Sequence, residues 1–327
     1  MILIIFSSII SISLVLFITI KPFRFASYIN LIDKANQNDI KLHKLDTPKT
    51  GGIALFVIST QIFLTLFLLD LMNQEIISIY IITSSFFIIG IIDDYINFSA
   101  IGRLIGLTIS CCLSFYLDEY LIIKTIYFDT IDQNITTNNF DFIFTIFCFL
   151  ALQNAFNFAD GSNGNLLTIT LSILLILLLI NPNLILATII AVIVILFIGN
   201  INNLIFLGNN GSSIIASIVS IFLIIYNKEY SSTLSGELIV VLLMLPGIDM
   251  IRVTFIRIYN NRNPFIGDRN HFHHIVFDKI KKRYWIPSYF FLMIIFFILT
   301  SYIETYFILI FQIFTYYYLL KKFRNIN

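Results

Sequence analysis

Charge is the scarcest property of this chain: Asp, Glu, Lys and Arg make up 12% of its residues, against 58% that are hydrophobic. Tryptophan occurs once and proline six times, beside 34 Phe, and the mean hydropathy is +0.91. A water-soluble globular protein is excluded by that balance, which belongs to the polytopic membrane class. Cysteine is also sparse. Cys111, Cys112 and Cys148 lie inside apolar stretches without C-x-x-C spacing, so they read as small apolar filler rather than redox or metal-binding groups. The net charge of +1 argues neither for nor against a nucleic-acid partner. No small-residue cleavage site follows the first apolar stretch, so it reads as an anchor. No inverted repeat of the transporter type is visible.

What is present is hydrophobic run after hydrophobic run. A membrane-spanning helix needs about 20 apolar residues, and eleven stretches qualify: 2–20, 51–70, 76–92, 101–118, 140–157, 165–181, 184–199, 212–227, 236–256, 286–303 and 305–320. The expectation is an all-α polytopic membrane protein of about eleven transmembrane helices, forming a single domain over 1–327. Lys and Arg in short loops stay on the cytoplasmic side. With the N-terminus outside and the C-terminus cytoplasmic, every Lys and Arg falls inside except Lys124 and Lys228. Between Asp118 and Asp141 the pattern weakens, and Tyr120 to Phe128 reads as an outer-surface strand or an amphipathic piece.

Asp93 and Asp94 end the run from Ile76 to Ile92. Acids at a membrane edge are costly unless something binds them, so they read as ligands for a cation or proton; the plainer alternative is a helix cap at the water interface. On the same inner face the alternation gathers five polar segments: Lys41 to Gly52, Asp93 to Arg103, Asn154 to Asn165, Asn200 to Ser213 and Pro264 to His274. Charge sorting moves Lys and Arg but has no reason to gather Asn, Gly, Asp and His. One cytosol-facing site built from several helix ends follows, with loops near 21–50, 93–103, 157–165, 200–212 and 258–285.

Each segment has a chemical use and a bland counterpart. Lys49, before Gly51-Gly52, offers a phosphate-seeking charge near a helix start, or is an ordinary turn residue. Asp93, Asp94 and Arg103 suit a magnesium-bridged polyphosphate, since Mg²⁺ takes one or two carboxylates and completes its shell with water and phosphate. Asn154, Asn157 and Asp160, three apart, line one helical face, either for a ligand or as a satisfied amide network. Phe206 either stacks on a flat ring such as a nucleobase or is a core aromatic. His271, His273 and His274 are three of the four histidines, yet H-x-H-H lacks the separated ligands of zinc patterns, and contact with phosphate fits at least as well.

In this order and on one side of the membrane, these segments resemble the polyprenyl-phosphate N-acetylhexosamine-1-phosphate transferases, the WecA-like branch related to MraY. The resemblance rests on H-x-x-x-x-P-x-x-G-G at His43 to Gly52, the pair Asp93-Asp94, N-x-x-N-x-x-D-G-x-x-G at Asn154 to Gly164, F-L-G-x-x-G-S at Phe206 to Ser212, and D-R-x-H-x-H-H at Asp268 to His274. It implies a multi-pass enzyme of the bacterial inner membrane with a cytoplasmic active site. Such an enzyme moves a sugar-1-phosphate, GlcNAc-1-phosphate above all, from a UDP-N-acetylhexosamine to undecaprenyl phosphate and releases UMP, the first membrane step of cell-envelope polysaccharide synthesis such as O-antigen. Mg²⁺, or Mn²⁺, is the implied cofactor, and a homodimer is left open.

By the same resemblance Asp93 and Asp94 are the catalytic acids and, with Asn209, the metal ligands. Lys49, Asn154, Asn157, Asp160, Asn163, Asn200, Phe206, Arg269, His271, His273 and His274 contact the substrates. Two positions depart from the pattern: Asn209 stands where the family turn has an Asp, and Asn163 is neutral where relatives often carry an acid. An amide oxygen still coordinates Mg²⁺ but removes a negative charge. Two other readings stay open: a catalytically weakened homologue serving as a binding partner, and an ion-coupled transporter using the acid pair. The D-R-x-H-x-H-H pattern favours a simple N-acetylhexosamine over a MurNAc-pentapeptide donor.

Overall fold

The computed structural model describes residues 2–34, 46–96, 98–263, 270–277 and 279–324. In chain order the elements are α1 (Ile2–Ile20), α2 (Pro22–Tyr28), β1 (Ile32–Asp33), β2 (Thr47–Pro48), α3 (Gly51–Leu68), α4 (Gln74–Ile96), α5 (Ala100–Leu117), β3 (Thr125–Phe128), β4 (Gln133–Thr136), α6 (Asp141–Ala159), α7 (Asn165–Ile180), α8 (Leu184–Ile201), α9 (Gly208–Glu229), α10 (Gly236–Tyr259), α11 (Phe272–Phe277), α12 (Lys282–Leu299) and α13 (Thr305–Arg324). All eleven expected apolar stretches fall on helices. Among the described residues, seven helices, α3, α4, α5, α6 with the turn before it, α8, α9 and α10, are long and apolar enough to cross a membrane by length and composition. Ile5–Ile20 and Pro22–Tyr28, bent by 85°, make an eighth if taken as one span. The remainder fall short for local reasons: α7 has 16 residues, and α13 carries Tyr316, Tyr317, Tyr318, Lys321 and Lys322 toward its end.

Helix α9 is the axis of the bundle. Its apolar window is 78% buried, whereas those of α3, α4 and α5 are each 33% buried. Small residues on α9, Gly211, Ser212, Ser213, Ala216, Ser217 and Ser220, are all buried, as expected where helices approach closely without a hydrophobic drive between them. The buried hydroxyls of α7 are satisfied locally: Thr168, Thr170 and Ser172 donate to carbonyls four residues back. Helix starts carry side-chain caps at Ser99, Asn183 and Ser235.

The weakly patterned region resolves into the antiparallel hairpin β3–β4, with Thr125 opposite Thr136 and Phe128 opposite Gln133. Glu237, at the start of α10, accepts the N–H groups of Asp129 and Thr130 at 3.0 and 3.1 Å, pinning the hairpin turn to that end of the bundle. A second short pair, β1–β2, lies at the other end, where α9 begins.

Candidate active site

The N-terminal turn of α9 is the floor of the site. Its first backbone N–H groups have no partner within the helix and carry the positive end of the helix dipole. Asp94, near the end of α4, supplies the missing acceptor. One oxygen takes the N–H of Asn209 at 3.1 Å; the other takes the N–H of Asn210 at 2.9 Å and its side-chain Nδ2 at 2.6 Å. Lys49 Nζ stands 3.5 Å from the same carboxylate and 3.7 Å from Asp33. The Asp94 side chain is wholly buried.

Glycine makes this approach sterically feasible. A Cβ on Gly52 would stand 2.0 Å from Asn210 Oδ1 and 2.5 Å from Gly211 N, and one on Gly90 would stand 2.6 Å from Asn209 O. The segment before α3 is stitched to the segment before α9 by backbone bonds from Gly51 N to Phe206 O and from Phe206 N to Pro48 O. Gly208 turns the chain into α9 with φ of +72°.

Asp93 points elsewhere, because consecutive helical residues are about 100° apart. Its side chain, 6% exposed, pairs with Arg103 Nη1 of α5 at 2.8 Å. The acid pair therefore divides between two neighbouring helices instead of facing a common point.

The end of α6 contributes the amide row. Asn157 Nδ2 donates to Asn209 Oδ1 at 2.9 Å and lies 3.4 Å from Ser212 Oγ. Asp160 follows one turn on; its carboxylate has no hydrogen-bond or ion-pair partner among the described residues. Burial, with the Asp94 charge adding and Lys49 opposing, holds the Asp160 carboxyl well above the ordinary range. Asn154 is half-buried one turn before Asn157. Asn163 donates to Asn203 at 2.6 Å. Both ends of the Asn200 amide are engaged with backbone: Oδ1 accepts Gly164 N at 2.6 Å and Nδ2 donates to Ile205 O at 2.9 Å. Asn200 thus ties the turn before α7 to the turn before α9. Phe206 is half-buried between β2 and α9.

The histidines approach from α11. His271, His273 and His274 are buried, and a Cβ on Gly161 would stand 2.5 Å from His273 Nε2 and 3.0 Å from His274 Nε2. They therefore pack on the loop that carries Asp160. Arg269 and the acid before it, like His43, lie outside the described residues. Behind the histidines is a network that the sequence reading missed. Asp249 of α10 accepts from Arg252 Nη2 (2.8 Å), His271 Nδ1 (2.9 Å), Phe272 N (3.0 Å) and Tyr316 OH (2.7 Å), and Arg257 Nη2 lies 3.3 Å from His271 Nε2. A signal is present in the sequence: Asp249 and Arg252 sit inside the apolar stretch 236–256, where ionisable residues are functional by default, although charge sorting by topology alone also accounts for Arg252 and Arg257. Gln153, buried on α6 and donating to Ser213 at 2.8 Å, was missed as well.

Among the described residues no group of three or more His, Cys, Asp and Glu comes together to hold an ion. A closed zinc site does not fit. Mg²⁺ does fit, since it takes few protein ligands and leaves the rest to water and phosphate; Asp160, partnerless beside Asp94 and Lys49, and the amide oxygen of Asn209 are suitable donors.

An apolar groove of about 670 Å³ runs between α6, α9 and α10, from Ile126 and Phe128 of the hairpin past Phe144, Cys148 and Met244 to Ile248 and Ile251, which flank Asp249 along α10. The arrangement combines an amide-rich cradle bearing Lys49, suited to phosphates, with a channel suited to a hydrocarbon chain.

Comparison with known proteins agrees with this chemistry. The glycosyl transferase family 4 model matches residues 76–227, from α4 through α9. The chain is 25% identical over 268 residues to the undecaprenyl-phosphate alpha-N-acetylglucosaminyl 1-phosphate transferase of Yersinia pestis, covering 76% of this chain and 70% of that protein. It is likewise 25% identical over 283 residues to the protein of the same name from Salmonella typhi, covering 81% of this chain and 75% of the relative.

Proposed function

We propose that the chain is a member of glycosyl transferase family 4, whose model matches residues 76–227, and that it transfers N-acetylhexosamine-1-phosphate from a UDP-sugar to undecaprenyl phosphate. An oxygen of the lipid phosphate attacks the β-phosphorus of the donor, the bond from that phosphorus to the bridging oxygen breaks, and UMP leaves with the bridging oxygen. GlcNAc is the favoured sugar, and the product opens a cell-envelope polysaccharide such as O-antigen. The reading includes eleven spans, an outside N-terminus, a cytoplasmic C-terminus and a cytoplasmic site in the bacterial inner membrane.

The observation that carries it is the meeting of Lys49 and Asn157 at the start of α9, beside an Asp160 whose loop carries the histidines. Two anions must be brought together, so positioning and charge neutralisation supply most of the catalysis. Lys49, kept at the floor by Asp94, faces the phosphates. Mg²⁺, held by Asp160 and the Asn209 oxygen, would neutralise the diphosphate. Phe206 stacks on the uracil, and Asn200 acts through the two turns it ties together. The histidines, packed on the loop that carries Asp160, hold the diphosphate, a role that the motif also assigns to Arg269. The polyprenyl tail lies in the groove along α6 and α10. A lipid phosphate has a second pKa near 6, so much of the nucleophile is already dianionic at neutral pH, and Asp93, paired with Arg103, is not needed as a strong base.

Purified protein with UDP-GlcNAc, Mg²⁺ and undecaprenyl phosphate tests this by UMP release. Turnover that stops on chelation and returns with Mg²⁺ is expected. Asn209→Asp is expected to be tolerated and to lower the Mg²⁺ concentration needed for half-activity. Absence of UMP release with every UDP-N-acetylhexosamine offered would leave the binding-partner reading in its place.

A further inference from the structure

Asp249 is a buried charge for which the transfer chemistry has no use, and a carboxylate on a residue 8% exposed inside a helix bundle persists only when hydrogen-bonded. Its four donors come from three elements. Arg252 is on its own helix, His271 and Phe272 open α11, and Tyr316 is on α13. The network closes on itself: Arg252 Nε donates to Tyr316 OH at 2.5 Å, and Arg252 Nη2 donates to Asn270 O at 2.6 Å, just before α11. Because an ionised carboxylate only accepts, His271 must carry its proton on Nδ1, which leaves Nε2 as the acceptor for Arg257. Arg257 in turn lies over the Phe158 ring at 5.2 Å, and Phe158 packs on the His271 ring at 4.8 Å, two residues before Asp160.

We propose that Asp249 is the positioning residue of the histidine segment: by fixing His271 as an Nδ1–H donor it anchors α11 to α10 and α13 and holds His273 and His274 against Gly161, beside Asp160. The kinetic part of this inference rests on the transferase reading; the structural part does not.

The test uses the full chain in detergent or vesicles and measures the rate at which diethyl pyrocarbonate modifies His271, His273 and His274, resolved by peptide mass, with thermal melting as the check on folding. Asp249→Asn places an amide donor against donors. It is expected to raise the modification rate of these histidines about tenfold, the scale of losing one charge-assisted hydrogen bond. In the assay above, kcat/KM for the UDP-sugar should fall by up to about a hundredfold, as for a displaced contact group. The double variant D249N/H271N lets the amide at 271 turn its oxygen to the new donor, and should restore much of the protection. If D249N does not fold, Tyr316→Phe, which removes one donor, carries the same measurement with an expected rise of about threefold. A folded D249N with wild-type protection overturns the proposal, as does a loss of kcat/KM without any change in protection. Deprotection in D249N combined with no UMP release from the wild type would sink the transferase reading and leave the role of Asp249 standing.

Discussion

Asp94 and Asp249 are each buried, each face four donors, and each hold one side of the same site, yet they hold different things. Asp94 grips backbone: two main-chain N–H groups of α9, with the Asn210 amide and Lys49 beside them. Asp249 grips mostly side chains, those of Arg252, His271 and Tyr316, with a single main-chain N–H from Phe272. The first arrangement allows little adjustment, because Gly52 and Gly90 bring main chain against main chain around it. In the second, the contacts pass through side-chain torsions rather than main chain. The α9 side is therefore the rigid wall of the site and the histidine side the adjustable one.

The largest expected effect comes from breaking the rigid wall. Asp94→Asn removes the charge facing the α9 amides and Lys49, and is expected to abolish UMP release and to cost about 3–5 kcal/mol of stability, as when a buried charge loses its partner. Asp249→Asn should cost less, about 1–3 kcal/mol, since the remaining amide oxygen can still accept from Arg252 or Tyr316; thermal melting of both in the same detergent compares them directly. If the two losses are equal, the contrast between rigid and adjustable walls is wrong.

Glycine substitution sharpens the comparison. Gly52→Ala forces atoms together at the α9 turn and should lower stability by about 1–3 kcal/mol. Gly247→Ala, where nothing stands within 4 Å of the added carbon, should be neutral or stabilising. The smallest effect is expected at the exposed Lys124–Glu119 pair beside the hairpin: Lys124→Ala should leave the melting temperature and turnover unchanged.

These contrasts also explain what the sequence could tell. Eleven apolar stretches were legible as helices because hydrophobic length alone dictates them, and the segment from Tyr120 to Phe128 was legible as a break in the pattern. Helix ends were not. The third run, Ile76 to Ile92, continues as helix through Asp93 and Asp94 to Ile96, because Arg103 and the α9 N–H groups donate to those acids in buried positions. Helix α9 begins at Gly208, not at residue 212, because its cap comes from α4, a partner no local motif announces. Among the described residues of the five polar segments, Lys49 and Asn157 come to the start of α9, and His273 and His274 pack on the loop that carries Asp160. That the acid pair splits between two helices, and that the Asn200 amide is engaged by backbone, depended on side-chain direction and on distant donors. Asp249 was hidden differently. It sits mid-stretch in a run read for its hydropathy, and its partners are spread over three helices.

The groove between α6, α9 and α10 has a kinetic corollary. Val240 and Ile251 on its edge are exposed on the apolar flank of the bundle, so a long-chained acceptor can enter sideways without leaving the lipid phase. Its encounter with the site is then a two-dimensional search governed by molecules per unit of membrane area. Adding inert lipid to vesicles should slow the reaction as dilution would, whereas enlarging the aqueous volume should act on the nucleotide donor alone.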